Sequence, residues 1–109
     1  MRVRRFGRSY AHPLLVLVAC LGAPSSLRIG IIAGRSVGKA VQRNRAKRRI
    51  RACLGLLLNQ ISTGWDLVFI ARQSLSQAGF EQICEAVKFL LVQAALLERM
   101  VPADTQAAQ

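Results

Sequence analysis

Seven of the thirteen residues from Lys39 to Arg51 carry positive charge: Lys39, Arg43, Arg45, Lys47, Arg48, Arg49 and Arg51. Guanidinium forks match phosphate oxygens in pairs. Asn44, set among them, offers both donors and an acceptor to a base edge or a ribose hydroxyl. Like charges three or four residues apart on a helix repel by a few tenths of a kcal/mol per pair, roughly. A run that stacks them with no nearby carboxylate is shaped by something other than its own stability. Solvated faces ordinarily mix signs, so the chemistry predicted for this run is phosphate binding. Just upstream, Gly34-Arg35-Ser36-Val37-Gly38-Lys39 matches a P-loop only in outline. Three residues separate its glycines, and Ala40 stands where Ser or Thr would hold magnesium. What remains is a glycine loop entering a helix, whose free N–H groups and positive dipole end favour an anion beside Arg35 and Lys39.

The same cations dominate the whole chain. Its 109 residues carry a net charge of +11, from 16 Lys and Arg against 5 Asp and Glu. Residues 1–51 hold 13 of the cations and no acid, whereas residues 52–109 hold 3 cations and all 5 acids, a net of −2. That asymmetry implies a polyanionic partner, nucleic acid or an anionic membrane, engaged by the first half. Hydrolysis by the protein itself is poorly provided for. His12 is the sole histidine, so any Ser-His-Asp or Cys-His set must pass through it. The basic half has no carboxylate to hold a catalytic metal. Glu81 and Glu85 lie one turn apart, but with Lys88 three residues on they read as a solvated face. Cys20, Cys53 and Cys84 are spaced by 33 and 31 residues without a C-x-x-C, which indicates neither a zinc site nor a disulfide framework. Each has apolar neighbours, so they read as buried free thiols in a reducing compartment, with Cys53 and Cys84 inert against the sheet.

The elements that must position these residues form one domain, residues 1–101, followed by a flexible tail over 102–109. Strands are predicted at about Leu14–Ala19, Leu27–Ala33 and Trp65–Ala71, with polar or glycine loops between them. A helix from about Lys39 to Asn59 places Ala46, Ile50, Cys53, Leu54, Leu57 and Ile61 on one apolar stripe. Asn44, Arg45, Arg48 and Arg51 fall on the opposite side, and Lys47 and Arg49 flank the stripe. A second helix, roughly Gly79 to Met100, carries a wide apolar stripe for packing. The first strand has a rival reading. Arg2, Arg4, Arg5 and Arg8 followed by Leu14–Ala19 look like a signal peptide, and Leu17-Val18-Ala19-Cys20 like a lipoprotein cleavage box. The run is too short to span a membrane and fits a strand buried on both faces equally well.

Arg28-Ile29-Gly30-Ile31, then Val37-Gly38-Lys39-Ala40-Val41-Gln42-Arg43-Asn44-Arg45-Ala46-Lys47-Arg48-Arg49-Ile50-Arg51, resembles the signature of the bacterial ribonuclease P protein component, with Arg43-Asn44-Arg45 at its centre. Gly64–Arg72 is similar to that family's strand after the basic helix. The resemblance implies an α/β (α+β) two-layer sandwich: a small mixed sheet, the basic helix in a left-handed βαβ crossover, and a C-terminal packing helix. It implies RNA binding through Arg35, Lys39, Arg43, Asn44, Arg45, Lys47, Arg48, Arg49 and Arg51. The chain itself would carry no catalytic residue. It would be the cytoplasmic accessory protein of a ribonucleoprotein endoribonuclease that removes the 5′ leader of precursor tRNA and leaves a 5′-phosphate. Its partners would be the catalytic RNA, bound 1:1, and precursor tRNA, with no membrane. Magnesium would be bound mainly by the RNA, its affinity raised by the protein.

The resemblance has gaps. The family's N-terminal helix, which carries aromatics for the leader cleft, is expected to be missing before Phe6 unless the true start lies upstream, which leaves Phe6, Tyr10 and Arg28 as the leader-cleft candidates. Val18 stands where an aromatic is common, and Arg35-Ser36 where paired lysines are. The expectation is weak discrimination between precursor and mature tRNA, restored by an in-frame extension of about 15–20 residues. Two other classes stay open on the residues alone. A pure RNA-binding module would bind the RNA without affecting cleavage. An exported cationic lipoprotein would lose residues 1–19, which its mass would reveal.

Overall fold

The computed structural model describes residues 7–97. The strands are β1 (Arg8–Ala11), β2 (Leu15–Leu21), β3 (Leu27–Ala33) and β4 (Trp65–Ala71). The helices are α1 (Ala40–Leu57) and α2 (Phe80–Gln93). The strands form one mixed sheet in the order β1-β2-β4-β3, with β1–β2 and β2–β4 antiparallel and β3–β4 parallel. A parallel pair needs a crossover, and α1 is that crossover.

Side chains alternate across a strand, and the register fixes which ones share a face. Leu17 and Ile31 both stand opposite Phe69, and Ala19 and Ile29 both stand opposite Leu67. Onto this face α1 turns Ala46, Ile50, Cys53, Leu54 and Leu57, and α2 turns Ile83, Ala86, Val87, Leu90 and Leu91. All belong to a single buried cluster. The sandwich therefore has two layers, with both helices on one side. Val16, Val18, Val68, Ile70 and Ile32 lie on the other face, half-buried or exposed among the described residues.

Several expectations need correction. Leu15–Leu21 is buried on one face, not both: Leu15, Leu17 and Ala19 are covered, whereas Val16 and Val18 are only half so. The stretch that mimics a signal-peptide core is an inner strand, paired on both edges. β1 escapes the sequence pattern because three of its four residues are exposed, leaving no alternation to detect. α2 stops at Gln93 rather than Met100. Ala95 takes a left-handed φ of 62°. Leu96 N–H then donates to Leu91 O at 2.8 Å and Ala95 N–H to Val92 O at 2.9 Å, which closes the helix as a Schellman turn. Leu97 instead bridges to Ile61 beyond the end of α1.

The thiol expectation fails for two of the three cysteines. Cys53 and Cys84 form a disulfide, with Cα atoms 5.3 Å apart, well inside the usual range. Both sit where α1 faces α2, a juxtaposition that a spacing of 31 residues does not reveal. Cys20 alone is a buried free thiol. Phe6, the expectation about an N-terminal helix, the domain end at 101 and the tail from Pro102 all fall outside the described residues.

Candidate nucleic-acid interface

The entry to α1 is fixed by Gly38, whose φ of 141° suits only glycine. A β-carbon there would also collide with the Gln42 side chain. The Gln42 Oε1 accepts the Lys39 N–H at 2.7 Å, and Val37 is buried beneath the loop. The first intrahelical bond runs from Arg43 N–H to Lys39 O at 2.9 Å. No side chain caps the N–H groups that follow Lys39. The positive end of the helix thus opens to solvent between exposed Arg35 and Lys39.

Along α1 the burial follows the predicted projection. Asn44, Arg45, Arg48 and Arg51 are exposed, while Lys47 and Arg49 are half-buried beside the apolar stripe, as is Arg43. Long basic side chains at such borders lay their methylenes on apolar neighbours and keep the charge in water. Arg49 is different. Its Nη1 donates to Ala78 O at 3.2 Å, tying α1 to the entry of α2. The ion pair found among the described residues lies elsewhere, between Arg28 and Asp66. Arg43, Arg45, Lys47, Arg48 and Arg51 therefore present their charges with no described carboxylate in reach.

Arg28 and Asp66 stand opposite each other in the β3–β4 register. Arg28 Nε donates to Asp66 Oδ1 at 3.2 Å and Nη2 to Oδ2 at 2.9 Å. These bonds hold the Asp66 carboxyl below the ordinary carboxylate range and raise the Arg28 guanidinium further. Tyr10 pairs with Leu17 and packs against the helix-side core, so it lies across the sheet from Arg28. The structure does not bring these two cleft candidates together, because the register sends their side chains to opposite faces. His12 is engaged in a turn, its Nδ1 accepting Leu14 N–H at 3.0 Å, with its ring edge-on to Phe89.

The Ribonuclease P family model matches residues 1–95. The chain belongs to the ribonuclease P protein family. Ribonuclease P protein components from Herpetosiphon aurantiacus and Chloroflexus aggregans are 46% and 44% identical to it, over 87% and 88% of this chain and 77% and 72% of theirs. The solved Staphylococcus aureus RNase P protein superposes with a TM-score of 0.78 at 28% identity, covering 89% of each chain. The Thermotoga maritima RNase P protein superposes at 0.73 with 27% identity, over 83% of this chain and 86% of its own.

Two features of the basic helix were not legible in the sequence. One is the tie from Arg49 to Ala78, a partner 29 residues away. The other is a groove of about 220 Å³ between β3 and α1, lined by Ile29, Ile31, Arg51, Leu54, Gly55 and Leu58. Gly55, a poor helix former within α1, is the sequence feature that could have pointed to it. No helix among the described residues is long and apolar enough to cross a membrane.

Proposed function

We propose that this chain binds the catalytic RNA of ribonuclease P through α1 and the loop before it, and so assists removal of the 5′ leader from precursor tRNA. The observation that carries the reading is the exposed row of Asn44, Arg45, Arg48 and Arg51, unopposed by any described carboxylate. Successive turns of α1 advance about 5.4 Å, so the row can lie along a phosphate backbone. Asn44 supplies the one neutral group in the row that can hydrogen-bond a base or ribose hydroxyl. Lys39 and Arg35 add an anion site at the positive end of the helix. Arg49 contributes charge while its guanidinium braces the helix.

Among the described residues, no group of side chains is gathered for a magnesium ion. Asp66 is engaged by Arg28, and the described acids form no cluster suited to a metal. In this reading, as the family resemblance implies, magnesium binding and the chemistry of phosphodiester hydrolysis are assigned to the RNA. The protein's part is to neutralise phosphate repulsion and hold RNA and precursor together.

The direct test is cleavage of precursor tRNA by a ribonuclease P RNA transcript at low magnesium, with and without the chain. Addition should raise the rate and lower the magnesium required. Tight RNA binding with no effect on cleavage would make the chain a binding module only.

A further inference from the structure

The groove between β3 and α1 sits at the C-terminal end of the cationic row. β3 is an edge strand, so one side of its backbone has no strand partner among the described residues. Ile29 and Ile31 form one wall, Leu54 and Leu58 the other, and Arg51 lies at the rim. The wall is set back at Gly55, where an added β-carbon would meet nothing within 4 Å. Leu58 is 49% exposed, an apolar surface left open beside a charged helix. The volume of about 220 Å³ is below the roughly 300–1,000 Å³ of sites for larger ligands.

We propose that this groove receives one unstacked base of the RNA whose backbone lies on α1, with the adjoining phosphate held by Arg51. This rests on the reading of α1 as the RNA-binding helix. Charge favours this occupant. Arg45, Arg48 and Arg51 run in one row to the mouth of the groove, a spacing suited to a repeating polyanion, whereas an acidic peptide in the groove would engage Arg51 alone. The apolar walls cover the faces of the base, and the free edge of β3 offers backbone donors and acceptors to its rim.

The test is Gly55→Leu, which fills the groove from an exposed helical position with open space around it, with Leu56→Ala, at an exposed position of the same helix outside the groove, as the control. Affinity for a ribonuclease P RNA transcript is measured across a salt series for the full chain. Gly55→Leu should bind about tenfold more weakly at every salt concentration, within the range one stacked base contributes. Its log–log salt slope should match the parent, because no phosphate contact is lost. Leu56→Ala should bind like the parent, and the thermal midpoint of Gly55→Leu should not fall. If it does fall, Leu58→Ser, at an exposed site, replaces it and should weaken binding at an unchanged slope. Parental affinity in the groove variant, with a reduced slope in Arg48→Ala, overturns the base pocket while the α1 reading stands. Parental binding in both Gly55→Leu and Arg48→Ala overturns both.

Discussion

Adjacent arginines on α1 have different jobs. Arg48 is exposed and unpaired with any described acid, while Arg49 donates to the Ala78 carbonyl at 3.2 Å. Arg49→Ala should therefore cost about 1 kcal/mol of folding stability in urea titrations. Arg48→Ala should stay within about 0.5 kcal/mol of the parent. The helical projection gave the right face for both residues. It could not separate them, because the partner that distinguishes them is distant in sequence. Asp66 makes a pH prediction at the same scale. Its carboxyl is held low by the Arg28 bonds, so its stabilisation is complete above the ordinary carboxylate value of about 4 and is lost as pH falls through the lower folded value. Asp66→Asn should remove that part of the acid-side loss. An acid unfolding curve of unchanged shape would show that the pair contributes nothing.

At the scale of elements, the strands with clear flanks were legible: Leu27–Ala33 and Trp65–Ala71 match their predicted bounds. Boundaries that depend on backbone conformation were not. α2 ends through a left-handed alanine, where glycine or asparagine would have been the visible signal. Ala95→Gly should relieve about 1 kcal/mol of strain and raise the thermal midpoint by about 4–8 °C. An unchanged or lower midpoint would show that the turn is not strained at that residue. The link between helices was equally hidden, since Cys53 and Cys84 each looked like an ordinary core residue of its own stripe. Closing 31 residues of chain predicts a loss of about 3–4 kcal/mol on reduction. Dithiothreitol should thus destabilise the parent, and leave the Cys53→Ala/Cys84→Ala double variant unmoved.

For the whole molecule, the division of charge between the two halves was plain in the sequence, and it located the candidate interface before any strand was placed. The strand order was not available from the same pattern. Alternation tells which side chains share a face, not which strands are neighbours, and the order β1-β2-β4-β3 is visible only in the fold. Coverage of the sheet was also beyond the pattern, because either helix stripe fits either face. The proposed role of α1 as a phosphate-binding surface is tested most directly by the salt dependence of RNA affinity. Each phosphate contact contributes about 0.7–0.9 to the log–log slope. Arg45→Ala and Arg48→Ala should each reduce the parental slope by about 1 with stability unchanged. A slope identical to the parent in both variants would contradict the account and move the interface off α1.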